Sequence, residues 1–224
     1  MSRALAYCVF LNRPEISLPL TGVTSAEVQL ITHRELSVLW SEVEWPFNPA
    51  QMQKNAVEFH NVVQRILRQA AVIPFRLLSV FSGKDELAAF AAEHAQEFTA
   101  ELERLTGFVQ MECVVYPAPG RATMHMDSGA QYLRERAGML RAIGEHVSQL
   151  KERLRALAHD LRVRETKSGT RLFVLTESGK ESEFRSAVER VSLPEKLSRR
   201  MSGPWPAAEF LSEKLKAPQI AGAK

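Results

Sequence analysis

The chain has 224 residues, of which 45% are hydrophobic, and its 29 basic and 26 acidic side chains leave a formal charge of +3. That apolar share is too large for a disordered chain, and the charge is too evenly mixed for a polyelectrolyte. No run approaches the roughly 18 uncharged apolar residues of a membrane-spanning helix, and the opening Met1-Ser2-Arg3-Ala4-Leu5-Ala6-Tyr7 lacks the apolar core of a secretory signal. One large or two small cytosolic domains are expected. Cys8 and Cys113 lie in apolar runs with no metal-ligand spacing, which suits two reduced core cysteines.

Residues 3–11 alternate as a strand, with Leu5, Tyr7, Val9 and Leu11 on one face and Ala4, Ala6, Cys8 and Phe10 on the other. Both faces are apolar, so this strand should be covered on both sides. Two shorter strands, 27–32 and 36–43, flank a turn at His33-Arg34-Glu35. A helix is predicted over 49–71, capped by Asn48, with Met52, Ala56, Phe59, Val63, Ile66, Leu67 and Ala70 on one side. A strand is predicted over 72–81, a second helix over 84–106 stopped by Gly107, and a strand over 108–116. This order is close to the split βαβ pattern of ferredoxin-like domains, a fold that hosts many activities.

Residues 118–128 are expected to be a linker. A long helix follows over 129–161, with Asp127 or Ser128 as its cap. Ile143, Val147, Leu150, Leu154, Leu157 and Leu161 alternate steps of four and three, a narrow coiled-coil-like seam that can pack within the chain or against a partner. Gly138 and Gly144 predict a bend in its first half. Strands at 161–166 and 171–177, a helix at 181–191, a strand at 199–210 and a loose end from 214 complete the chain. The fold class is thus α+β, with a ferredoxin-like domain at 1–117, a linker at 118–128, and a second α+β domain at 129–224 that carries the long helix.

No Gly-x-Ser-x-Gly elbow, His-Glu-x-x-His or Cys-x-x-Cys occurs. Gly83-Lys84 and Gly179-Lys180 lack the Ser or Thr and the preceding glycine of a phosphate loop, and both suit helix starts. His60 and His94 fall on apolar helix faces with no third ligand in view. Asp85/Glu86 and Glu181/Glu183 sit in first helical turns, where the helix dipole favours them. Arginines on the long helix interleave with Glu135, Glu145, Glu152 and Asp160, as on a solvated face. No catalytic, cofactor or metal site is expected.

Five segments, in order, resemble the gas vesicle protein F/L family: the first strand ending in Tyr7; His60; Val72-Ile73-Pro74-Phe75-Arg76; Gly129-Ala130-Gln131-Tyr132-Leu133-Arg134-Glu135-Arg136; and Ser202-Gly203-Pro204-Trp205-Pro206 with Phe210. Cys8-Val9-Phe10, Leu77-Leu78 and Ala207-Ala208 depart from the family pattern. The resemblance implies a non-enzymatic accessory protein in the cytoplasm and on the gas vesicle. Its partners would be the major gas vesicle shell protein and other gas vesicle accessory proteins, not nucleic acid or a membrane. Partner-binding residues are expected among Tyr7, Phe75, Arg76 and Trp205. Trp205 would either lock the last strand over a core or anchor an interface, and its exposure distinguishes the two. The alternatives are a small-molecule-binding sensor and a nucleic-acid-binding ferredoxin-like module.

Overall fold

The computed structural model describes residues 1–119 and 129–216. Most of the expected linker, the Asp127 or Ser128 cap and the chain end from 217 lie outside them. The chain divides into two compact units, Met1–Gly107 with Pro206–Lys224, and Phe108–Trp205. Each is a mixed α+β unit built on one antiparallel sheet.

The first unit holds β1 (Ser2–Leu11), β2 (Gln29–His33), β3 (Leu36–Glu44), α1 (Met52–Leu67), β4 (Ile73–Pro74), β5 (Val80–Phe81), α2 (Lys84–Glu93) and α3 (Ala95–Leu105). Its sheet runs β2-β3-β1-β4, with β5 also on β1 and every pair antiparallel. The two-faced apolar strand expected at the start is the centre of this sheet: Ala4 to Phe10 are all buried. Asn48 caps the helical segment as expected, its Oδ1 accepting from the Ala50 N–H at 3.0 Å.

Two elements differ from the sequence expectation. The strand predicted over 72–81 is two short pieces. Between them Ser79 closes a turn, its N–H donating to the Arg76 carbonyl (2.9 Å) and its Oγ accepting from the Arg76 N–H (3.2 Å). The helix predicted over 84–106 breaks at His94, where ψ is 12°. The Phe90 carbonyl there accepts the His94 N–H at 3.2 Å and also lies 3.0 Å from the His94 Nδ1, while the two rings stack 4.4 Å apart. This local bonding competes with the regular helical turn.

Tyr7 is the extra residue of a bulge, because Ala6 and Cys8 pair with the adjacent Trp40 and Leu39 of β3. The Val23 N–H donates to its hydroxyl (2.9 Å), which donates to Ser41 Oγ (3.0 Å), which donates to the Glu27 carbonyl (2.8 Å). Its ring packs 5.2 Å from that of Phe59 on α1. Burial raises the pKa of the phenol, and the hydrogen bonds with Ser41 and Val23 offset part of that. A Cβ at residue 22 would come 2.1 Å from this hydroxyl, so only glycine allows the approach.

The second unit holds β6 (Phe108–Pro117), α4 (Gly129–Leu154), β7 (Asp160–Thr166), β8 (Gly169–Glu177), α5 (Glu181–Glu189) and β9 (Leu197–Trp205). Its sheet runs β7-β8-β6-β9, again antiparallel. The domain boundaries therefore differ from those expected. β6 pairs with β8 and β9 and belongs to the second unit, so the first ends at Gly107, whose φ of 82° turns the chain. The last strand stops at Trp205. Residues 206–216 return to the first unit through a 3-10 turn at Ala208–Phe210 and α6 (Glu213–Lys216). There Glu101, held by Arg104, accepts from the Ser212 N–H at 2.8 Å, and Arg104 donates to the Phe210 carbonyl at 2.8 Å.

The order expected of the first domain, strand, hairpin, helix, strand, helix, strand, loses its last strand, β6, to the second unit, whose own order is β-α-β-β-α-β. In the first unit residues 12–28 join β1 to β2 with a 3-10 turn at Val23–Ser25 and no α-helix, because Pro14, Pro19 and Gly22 interrupt that stretch. The seam of α4 packs on its own sheet and on α5: Ile143, Val147, Leu150 and Leu154 share a core with Met111, Cys113, Val115, Leu172, Val174 and Phe184. The helix ends at Leu154, short of the expected 161. No Gly or Pro stops it. The Leu157 carbonyl accepts from Thr176 Oγ1 (2.9 Å), and the His159 N–H donates to the Leu175 carbonyl (2.8 Å), which draws the chain into β7.

His146 on α4 is buried within the second unit, and burial, aided by the nearby Arg199, lowers its pKa. The fold therefore disfavours protonation of the imidazole, which gains a proton more readily once unfolded, near its ordinary pKa of about 6.5. Stability is present in full above that value and is lost as pH falls below it. Urea unfolding of the second unit should show a midpoint lower at pH 5.5 than at pH 7.5, and His146→Leu should flatten the difference. Equal pH dependence in both proteins would show that His146 is not its source. Tyr7→Phe removes the hydroxyl that accepts the buried Val23 N–H, so it should cost the first unit about 1–3 kcal/mol. An unchanged unfolding midpoint would show that the hydroxyl node does not hold the 12–28 segment.

Candidate functional site

Of the four residues expected at a partner surface, the structure leaves one exposed. Tyr7 is fully enclosed and bonded, so its face is closed to a partner and it acts as a core node. Phe75 is buried too. Its N–H donates to the Tyr7 carbonyl at 2.8 Å, and its ring joins those of Phe81 (6.2 Å) and Phe90 (6.0 Å). Arg76 is exposed. Leu78, absent from the expected set, stands beside it at 51% exposure, large for a leucine held in so tight a turn. Residues 76–79 thus form a small hydrogen-bonded knuckle. The turn hydrogen bonds of Ser79 fix its shape, the Phe75 cluster anchors its base, and Arg76 with Leu78 makes its surface. The sequence signal for Leu78 was its place where the family pattern has another residue.

Trp205 belongs to the second unit and is half-buried at the end of β9. Its Nε1 donates to Ser202 Oγ at 3.1 Å, and Ser202 donates to the Glu112 carboxylate at 3.2 Å. The same carboxylate takes the Arg171 guanidinium. Arg185 donates to the Gly203 carbonyl at 2.7 Å. Gly203 has φ 114°, and a Cβ there would lie 2.9 Å from the Gln110 carbonyl oxygen, so the backbone admits only glycine. These bonds make the Gly203-Pro204-Trp205 segment a lock on the sheet edge in the first place, with part of the indole still open. The sequence reading missed Glu112. Its signal was a carboxylate inside the mostly apolar segment Val109 to Val115, where burial requires a partner.

No group of three His, Cys, Asp or Glu side chains able to hold a metal occurs among the described residues. His60 is half-buried on α1, and burial lowers its pKa; His94 lies against Phe90 and Phe98. Burial pushes the Cys113 thiol up to about 11 and the Cys8 thiol higher still, so neither is a ready nucleophile at neutral pH. No helix among the described residues is long and apolar enough to cross a membrane.

Two crystal structures share the fold. The gas vesicle protein GvpF from Anabaena sp. PCC7120 is 14% identical, with a TM-score of 0.74 over 95% of this chain and 99% of that one. The gas vesicle protein GvpF from Microcystis aeruginosa is 13% identical, with a TM-score of 0.75 over 94% and 99%. No curated protein matches the chain in sequence. The family model described as gas vesicle synthesis protein GvpL/GvpF matches residues 4–212, nearly the whole chain, and so the protein belongs to the gas vesicle GvpL/GvpF family.

Proposed function

We propose that this chain is a non-enzymatic assembly factor that binds the major gas vesicle shell protein and acts on the gas vesicle within the cytoplasm, alongside other accessory proteins. The observation that carries the proposal is the family match over residues 4–212. Physical reasoning agrees with it. A shell subunit with an exposed apolar face aggregates before assembly unless a folded partner covers that face. The Arg76–Leu78 knuckle offers one apolar and one cationic contact on a pre-formed turn, which limits the ordering cost of docking. The open part of Trp205 is a second contact surface.

The other two functions have less support. A nucleic-acid module with the β-α-β-β-α-β order would stack bases on aromatic residues of its central strands. On β8 the Phe173 ring is buried, with the Arg171 and Arg164 guanidiniums 5.2 and 5.5 Å from its centroid. A small-molecule sensor would need a polar pocket around His60, His94 or Arg76. The cleft of about 350 Å³ between the β2–β3 turn and α3 is lined instead by His33, Glu35, Gln96, Thr99 and Glu103 among others.

A pull-down with the host's major shell protein, held soluble by a fusion, tests the proposal. The wild-type chain should retain the shell protein. Arg76→Glu combined with Leu78→Asp should weaken retention about ten-fold, since the two contacts together are worth roughly 1.4 kcal/mol or more. Both positions are exposed, so the fold should survive. Full retention by that variant and loss in a folded Trp205→Ala variant would move the contact to the second unit. No retention of the shell protein by the wild type would sink the proposal.

A further inference from the structure

Every residue from 130 to 141 whose side chain is described is exposed, apart from the half-buried Met139. The first half of α4 therefore stands clear of the core that encloses its second half. It is not simply a polar extension. Leu133, Leu140, Val147 and Leu154 recur at seven-residue steps along one side of the helix. Val147 and Leu154 are buried, whereas Leu133 and Leu140 are 64% and 59% exposed. Ala137 and Gly144 lie between and beside these leucines, and their small side chains leave the stripe low enough for another backbone to approach. One apolar line thus begins without a partner and ends in a core. Single exposed leucines need no explanation, but two in the register of a buried seam do.

The charges beside the stripe say what fits it. At about 100° per residue, Arg136 lies on one side of the Leu133–Leu140 line, and Arg134 and Arg141 lie on the other. Glu135 faces away, towards Gln131, whose Nε2 donates to it at 3.3 Å. The apolar line therefore has arginines on both sides of it, Arg136 in the column of the buried Ile143 and Leu150 and Arg134 and Arg141 further round the helix. A second copy of this chain would bring the same arginines against themselves. A bilayer surface calls for a wide apolar face with Trp, Phe or several Leu, and this stripe is one residue wide. We propose that the first half of α4 is a docking surface for an acidic amphipathic helix of a partner protein, with leucine-type side chains on its seam and carboxylates beside them. This site is separate from the Arg76–Leu78 knuckle and does not depend on binding of the shell protein.

The test uses the full chain and two labelled synthetic helical peptides of about three heptads, the length that spans this half-helix. Both carry Leu at the seam; one has Glu and the other Lys at the flanking positions. Fluorescence anisotropy should show the Glu peptide binding at least about ten-fold more tightly than the Lys peptide, with affinity falling as salt rises. Leu133→Asp with Leu140→Asp should abolish binding while leaving the far-UV spectrum and unfolding midpoint unchanged. Arg136→Glu with Arg141→Glu should reverse the preference towards the Lys peptide. Equal binding of both peptides, absence of binding, or binding indifferent to these substitutions would overturn the proposal. So would leucine-dependent self-association, or leucine-dependent binding to phosphatidylserine vesicles without the Glu-peptide preference.

Discussion

The first unit depends on one strand being covered on both faces. Side chains of a strand point alternately to the two faces of its sheet, so a strand apolar throughout needs cover above and below. Ala4 to Phe10 of β1 are all buried, and in the plane of the sheet the strand pairs with β3 along one side and with β4 and β5 along the other. The bulge at Tyr7 then solves a second difficulty, which is how the 12–28 segment, with no helix of its own, is held in place. A phenol reaching out of the strand satisfies the Val23 N–H and is itself satisfied by Ser41. Without such a bond the buried amide would cost about as much as the node contributes. Gly22 is the counterpart of this arrangement, since any larger residue would occupy the place of the hydroxyl.

The second unit uses a charged version of the same device. Glu112 sits in the middle of a mostly apolar strand, and its carboxylate gathers Arg171 and Ser202, with Trp205 attached through Ser202. Three strands, β6, β8 and β9, are thereby tied at one place. A buried carboxylate is costly when unpaired, so its partners are constrained far more than the surrounding apolar side chains, which exchange with one another at small cost. The near-terminal Gly-Pro-Trp-Pro segment thus has a sufficient structural reason in the fold, apart from any role at an interface.

Most of the elements were legible because their signals are local. The alternation in β1, the Asn48 cap and the apolar face of α1 each depend on a few neighbouring residues and on side-chain geometry. What was not legible depends on distant partners. Phe108 to Pro117 looks the same as a strand whichever sheet it joins, and only its pairing with β8 and β9 assigns it to the second unit. The end of α4 is invisible for a similar reason. Leu157 and Leu161 keep the four-and-three spacing of the seam, yet Thr176 and Leu175 bond the chain into a turn and a strand. Tyr7 and Phe75 show the limit for sites. An aromatic residue in or beside a strand serves a core as readily as a surface, and composition cannot tell which.

The long helix unites these observations, because its two halves obey the same periodic rule in different surroundings. From residue 142 onward the seam buries itself on the sheet and α5, and there the spacing has a structural cause within the chain. Before that point the described side chains other than Met139 are exposed, yet leucines continue at seven-residue steps, with Arg134, Arg136 and Arg141 among their neighbours. Helix propensity alone would be met as well by Lys, Glu or Gln at 133 and 140, which keep a solvated face soluble. Leucine at both places is a cost in water that burial against another helix would offset, at roughly 1.5–3 kcal/mol for each side chain fully covered. The core that ends at Ala142 is in this sense an unfinished seam, and its exposed half has the size and charge of a site that a single helix would complete.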